Sequence, residues 1–459
     1  MKIRIPFRLR PEFQNILRLA WPAVLEEALA TVVIYADAAM VGALGPDASA
    51  AVGLTGTVNW LILTVLRAFG AGVLAVCAQA DGAGDEPLLK KAAQQALYLV
   101  ATCGLVLSVA CLAVSPHIAG WLNGAPEIRA DAGAYFAIVS LPMLLRASQL
   151  ILSSVLRGVS DMKTPMRIGL MTNALNIVLN FFLIYPVRTV GSVTVWGAGL
   201  GVRGAAWATA VSIAAGGLLT LYKYLMHPRF AFRTTGFRFD AGVMRRCLAV
   251  GLPMAFERAV VFTGHIVYAS TVARLGVIPF AAHTIALQAE EAFYIPGFGL
   301  QSAAATLAGN AVGERNGKKL DRVAKNVSLL ASGVMLVCGL VLVLVAPGLM
   351  RLFTPDETVV ALGASVLRIV ALSEPVYGML IILEGVFNGM GETRAPMVYG
   401  TLTMWGIRVL GTVLCIGVFG FGLKAAWVCM VLDNVVRAVL LLARYLGGKW
   451  RPRILGTNG

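Results

Sequence analysis

Charge is what this 459-residue chain has least of: Asp, Glu, Lys and Arg make up 13% of it, against 58% hydrophobic residues and a mean hydropathy of +0.79. That balance excludes an ordinary soluble domain and leaves the polytopic membrane class, in which counting domains by length misleads. The motifs of cofactor chemistry are missing as well. There is no GxGxxG followed by a dinucleotide-type strand, no GxxxxGK[ST], no HExxH and no GxSxG elbow. An ATP-driven pump or a metallo-enzyme is therefore disfavoured, and no nucleophile and base stand at a spacing that would suggest any enzyme. Seven cysteines (77, 103, 111, 247, 338, 415 and 429) lie in or at the ends of apolar segments without CxxC or Cys/His spacing. They predict small buried hydrophobes rather than a zinc site or a disulfide framework, and no cofactor is expected.

The net charge of +15 is spread over short connectors between apolar runs, so it reads as topological charge and not as a nucleic-acid surface. The N-terminus, MKIRIPFRLRPEF, is basic, but the apolar run behind it is too long for a signal h-region and holds two glutamates, so no cleavage is expected. Twelve runs of bilayer-spanning length can be drawn, near 14–44, 50–80, 90–115, 127–157, 164–186, 202–226, 243–275, 279–312, 321–349, 357–388, 396–419 and 422–446. Basic-rich ends and connectors alternate with basic-poor ones. Lys2, Arg4, Arg8 and Arg10 precede span 1; Lys223, Arg229, Arg233, Arg238, Arg245 and Arg246 lie around connector 6/7. Arg315, Lys318, Lys319, Arg322 and Lys325 follow span 8, and Arg444, Lys449, Arg451 and Arg453 end the chain. The other side has only Arg129, Arg188, Arg203, Arg274, Arg351 and Lys424, which predicts both termini in the cytoplasm of a cell-membrane protein.

The chain also repeats itself. Pro22, Glu26 and Gly45 answer to Pro253, Glu257 and Gly276, each 231 residues on; AQADGAGD answers to GNAVGERN, and RGVSDMKTPM to NGMGETRAPM. Connector 5/6 alone carries 11 extra residues in the first half. Six spans per half, starting and ending on one side, make a parallel duplication. The fold expected is an all-α polytopic membrane protein of two pseudo-symmetric six-helix lobes, 1–226 and 243–459, with a cytoplasmic linker at 227–242 and a ligand cavity between the lobes. The linker is basic and aromatic enough to lie on an anionic leaflet.

Acids within apolar runs are the functional candidates, because a carboxylate at membrane depth costs several kcal/mol unless paired, hydrated or protonated. Asp37 and Glu26 lie 11 residues apart, about three helical turns, so they share a face of span 1. Asn173, Asn176 and Asn180 make one polar stripe on span 5. Together they suggest a hydrated pocket in which Asp37 takes up and releases a proton as burial and water alternate; the structural alternative is an Asp37 held permanently by the asparagines or by Arg67. In the second half, His283 and Glu290 share a face of span 8, while Glu374 and Glu384 sit in span 10 near Tyr377. Glu257, Glu290 and Glu374 read equally as substrate or ion contacts and as satisfied glutamates; His265 and His283 read as hydrogen-bonding, and Asp433 with Arg437 as an internal ion pair.

These segments resemble the multidrug and toxic compound extrusion (MATE) family over essentially the whole chain. YADAAMVGALGPDASAAVGL looks like its first-helix signature, AQADGAGD its second-helix ending, RGVSDMKTPM with NALNIVLNFFLIYP its fourth and fifth helices, and AAHTIALQAEEAFYIPGFG its eighth. The likeness is to the bacterial and archaeal branch that includes the DNA-damage-inducible members. It implies a twelve-helix, two-lobed, V-shaped antiporter with a central cavity, a monomer in the membrane lipid, exporting amphipathic or cationic small molecules against an H⁺ or Na⁺ gradient. Asp37 falls on the family's cation-coupling acid, Asn176 and Asn180 on fifth-helix polar positions, and Glu374 on its tenth-helix acid. Two departures stand out: some relatives have an aspartate where Asn180 stands, and the seventh-helix glutamate of other relatives is replaced by Val261, with Glu257 only four residues after Pro253. First-lobe coupling is favoured, with H⁺ preferred because Na⁺ wants several oxygen ligands. The competing function is a lipid-linked saccharide flippase of the same superfamily, against which the acidic first helix argues.

Overall fold

The computed structural model describes residues 11–190, 193–230, 232 and 237–451. Lys2, Arg4, Arg8, Arg10, Arg233 and Arg453 lie outside the described residues, as does part of the expected linker. The spans are Pro11–Gly42, Pro46–Ala83, Glu86–Val114, the pair Pro126–Ser140 with Met143–Gly158, Lys163–Leu183, Gly201–Leu225, Ala241–Ala273, Val277–Gly313, Gly317–Arg351, the pair Glu357–Ala371 with Glu374–Met390, Arg394–Gly417, and Leu423–Leu446. Among the described residues, eight helices are long and apolar enough to cross a bilayer singly, and two more do so as bent pairs. The remaining two long helices, spans 1 and 8, are the ones that carry Glu26, Glu27 and Asp37, and Glu290 and Glu291.

Local geometry repeats at the sequence offset. Asp85 caps span 3 by accepting from the Leu88 amide, and Asn316, 231 residues later, caps span 9 through Lys319, both at 2.9 Å. An oxygen at such a cap satisfies a backbone donor that the first turn leaves open. The left-handed residues also pair at that offset: Gly45 with Gly276 (φ 117° and 103°), Gly84 with Arg315 (67° and 53°), and Ser160 with Gly391 (65° and 80°). So do the breaks, since span 4 bends by 53° after Ser140 and span 10 by 57° after Ala371. Close approach explains the paired glycines of the RG and NG motifs. A Cβ on Gly158 would lie 3.0 Å from the Leu74 carbonyl oxygen, and one on Gly389 would lie 2.0 Å from that of Ala305. In lipid, where apolar surface gains little by leaving the solvent, such close backbone packing is a main source of helix association.

Connector 5/6, where the first half is longer, folds as an antiparallel hairpin of β1 (Pro186–Val190) and β2 (Val193–Ala198), with Arg188 opposite Val195 and an irregularity between Pro186 and Arg188. The otherwise helical chain thus has one small sheet among its described residues.

By packing, the chain groups into two units, one of Met1–Glu27, Gly82–Gly84 and Ala259–Gly459, the other of Ala28–Asp81 and Asp85–Arg258. The divisions fall inside spans 1 and 7, again 231 residues apart, and not at the 226/243 boundaries drawn from hydropathy. Within the first unit, Ile16 and Ala20 of span 1 enter a core with Leu300, Leu383 and Phe387. Within the second, Ala68 and Ala75 of span 2 meet Val250 and Met254 of span 7. The described part of connector 6/7 is fastened to this second unit. Arg229 reaches Asp81 at 2.6 Å and Glu86 at 2.9 Å, Lys91 reaches Asp240 at 3.1 Å, and the Gln95 amide donates to the Arg238 carbonyl at 3.1 Å.

Candidate ion-coupling site

The site in the second unit is built where spans 1, 5 and 6 converge. Val41, Ile184 and Ala205 pack together, and the Tyr185 hydroxyl donates to the Met40 carbonyl at 3.0 Å, tying the end of span 5 to span 1. Gly204 lets span 6 come close, since a Cβ there would stand 2.4 Å from the Leu183 carbonyl oxygen. One turn before Val41, Asp37 turns its carboxylate towards span 5, and Asn180 Nδ2 donates to Asp37 Oδ1.

A chain of polar groups continues from there. Asn180 Nδ2 also lies 3.3 Å from Asn176 Oδ1, and Asn176 Nδ2 donates to the Thr209 hydroxyl of span 6 at 3.4 Å. Tyr135 of span 4 bonds the same threonine and is an electrostatic neighbour of Asp37. Asn180 is 1% exposed and Asn176 5%, whereas Asp37 is half-buried, so the amides are enclosed while part of the acid stays uncovered. Asn180 Oδ1 is buried without a hydrogen-bond partner. A buried, unpaired carbonyl oxygen costs about 1–3 kcal/mol, and at this position it is available to a proton carrier or a cation. The i, i+4 spacing of Asn176 and Asn180 on an uninterrupted helix is what brings both amides to one side.

Not every expected member joins. Asn173, half-buried, stands outside this chain of hydrogen bonds among the described residues, and Glu26 falls in the other unit by packing. Glu257 is buried, 5% exposed, on span 7.

In the unit of spans 8 to 12 a separate polar cluster forms. The Tyr294 hydroxyl donates to Glu290 one turn back, and its ring lies 4.5 Å from that of Tyr377. Glu374 is fully buried with neither carboxylate oxygen partnered, and it is an electrostatic neighbour of Glu290. Gly339 makes room for it: a Cβ there would be 2.5 Å from the Ala371 carbonyl oxygen and 3.2 Å from Glu374 Cβ. His283 belongs elsewhere, its Nδ1 accepting from the Trp427 indole at 3.2 Å. Asp433 and Arg437 pair at 3.0 Å as their spacing suggested, but Asp433 also holds Arg408 at 2.8 Å, and Arg437 lies 3.7 Å from Glu384.

Thr209, Tyr135, Tyr294 and Arg408 were not singled out from the sequence. A lone threonine or tyrosine in an apolar helix gives no signal, but Arg408, inside TMWGIRVLG, is an intramembrane charge of the kind that marks such clusters.

A family model described as MatE matches residues 22–182 and 253–414. A probable multidrug resistance protein NorM from Thermotoga maritima is 28% identical over 449 residues, which cover 98% of this chain and 95% of that protein. A MOP superfamily transporter from Pyrococcus furiosus, reported with a binding pocket of reverse polarity that suggests a different function, superposes with a TM-score of 0.88 at 23% identity over 97% of both chains. A crystal structure of MATE in complex with MaD3S gives a TM-score of 0.85 at 24% identity over 96% of both chains. Both superpositions carry the twelve-span, two-lobe fold.

Proposed function

Since the chain belongs to the MatE family, and is thus a membrane transporter and not an enzyme, we propose that it is a secondary antiporter that exports amphipathic, cationic small molecules in exchange for H⁺, with Asp37 as the coupling acid. The observation that carries this reading is the half-buried Asp37 carboxylate met by the Asn180 amide inside an apolar unit. An acid so placed can change its protonation state as water reaches it or leaves it. The amide presents its N–H side to the carboxylate. H⁺ is preferred to Na⁺ because Na⁺ wants several oxygen ligands, and besides Glu26, which falls in the other unit by packing, Asp37 is the clear carboxylate on that face.

The acid on span 1, together with Val261 in place of a seventh-helix glutamate, supports coupling in the first lobe. Charge asymmetry of the connectors supports an inner-membrane protein with both ends in the cytoplasm. MATE crystal structures reported in complex with MaD3S, MaL6 and MaD5 support a ligand-binding role for this fold. The acidic first helix argues against the flippase alternative, and the buried Arg408 and Arg437, both held by Asp433, are not free to meet a pyrophosphate.

The test is proton release from the purified protein on adding a cationic drug, with and without Na⁺, repeated on Asp37→Asn. Release that is independent of Na⁺ and absent from the variant is expected. Undiminished release by the variant, or release only when Na⁺ is present, overturns the assignment.

A further inference from the structure

Spans 1 and 9 leave a groove of about 570 Å³ on the first unit, walled by Phe13 on one helix and by Leu329, Leu330, Val334 and Val337 on the other. Its floor is Gly333, where an added Cβ would meet nothing within 4 Å. The groove follows span 9 from Leu329 to Cys338. At 1.5 Å per residue that is about 14 Å, half of a hydrocarbon core of about 30 Å and so the depth of one leaflet.

The same helical face turns basic just before the groove begins. Lys325 and Lys318 precede Leu329 by four and eleven residues, on the same helical face, and both are exposed, so a positive stripe leads into an apolar slot. Two of the nearby acids whose side chains are described are engaged elsewhere. Asp321 takes Arg451 at 2.7 Å and the Tyr445 hydroxyl at 2.9 Å, and Glu314 takes Lys319 at 2.5 Å.

We propose that this stripe and groove bind one anionic phospholipid, its phosphate against Lys318 and Lys325 and one acyl chain along the groove over Gly333. Two independent features converge on that ligand: a slot of single-leaflet length floored by an open glycine, and a pair of lysines at the end where a headgroup would sit. A zwitterionic lipid would fill the slot but gain little from the stripe. Because Phe13 begins the helix that carries Asp37, the lipid would sit against the same span as the proposed coupling acid. The binding site itself does not depend on that assignment.

The experiment places the full chain in nanodiscs of equal phosphatidylglycerol and phosphatidylcholine and counts the lipids retained by native mass spectrometry. The unchanged protein is expected to retain phosphatidylglycerol preferentially. Lys318→Gln with Lys325→Gln should remove the preference, by about fivefold for each lysine, while phosphatidylcholine retention stays the same. Gly333→Leu fills the slot and should reduce retention of both lipids; should that variant not fold, the lysine pair alone decides. Equal retention of the two lipids by the unchanged protein, or a preference that survives the lysine variants, overturns the proposal. So does closure of the groove by a second copy of the chain, seen as a dimer that Gly333→Leu converts to a monomer.

Discussion

Replacing Asp37 with asparagine exchanges one oxygen for an NH₂ group at nearly constant volume, so its structural cost can be bounded from what touches it. The side chain is half-buried and accepts one hydrogen bond from Asn180. An amide oxygen at the same place still accepts that donor. What is lost is the difference between a bond to a charged and to a neutral acceptor, about 1 kcal/mol, or a fall of about 1 °C in the midpoint of unfolding. Transport should respond quite differently. With a pH difference of one unit, one proton per cycle sustains about a tenfold drug gradient, and a carrier without the titrating group sustains none. The assay is accumulation of a fluorescent cation in proteoliposomes under an imposed pH gradient, alongside thermal unfolding of the same preparation. A variant that still holds a drug gradient refutes the coupling role. So does one that loses transport together with 3 kcal/mol or more of stability, because that pattern belongs to a structural carboxylate.

Two other perturbations probe separate parts of the molecule. Asp433→Asn leaves Arg408 and Arg437 short of their shared carboxylate, whose side chain is fully buried; a loss of about 3–5 kcal/mol is expected by thermal unfolding, partly recovered by adding Arg408→Met, and a loss under 1 kcal/mol would contradict the burial argument. His227, in the turn after span 6 and stacked 4.5 Å from Phe230, is held below its ordinary value of 6.5 by burial, which outweighs the opposing pull of Asp161. Charging it therefore costs the folded state more than the unfolded one, so stability should decline as pH falls through 6.5, and His227→Phe should flatten unfolding midpoints measured between pH 7.5 and 5.5.

The fold was largely legible because membrane helices declare themselves through hydropathy, and because the 231-residue offset ties distant segments together. The same offset reappears in the caps Asp85 and Asn316 and in the bends after Ser140 and Ala371. The hairpin was visible only as extra length, since runs such as VTVW read equally as strand or as the edge of a helix. In the candidate site, Asp37, Asn176 and Asn180 stood out as polar residues in apolar runs and do meet. Thr209 was silent because a threonine hydroxyl in a helix usually bonds its own backbone, and Tyr135 because a lone tyrosine in an apolar run looks like an ordinary packing residue. The packing division inside spans 1 and 7 was hidden for another reason: hydropathy reports where a helix crosses lipid, not which neighbours it chooses on the way.

Span 11 has one further property, arising from the π turn at Met404–Val409 that contains Arg408. A π turn accommodates roughly one surplus residue, and in an ordinary helix one residue corresponds to about 100° of rotation. The faces of Leu410–Gly417 are therefore out of phase with those of Arg394–Thr403, and no single helical wheel drawn through the whole span describes it. That surplus also gives the segment slack: losing one residue at the π turn would let the helix tighten to regular pitch, whereas the same loss elsewhere in the span would swing every later side chain away from its partners.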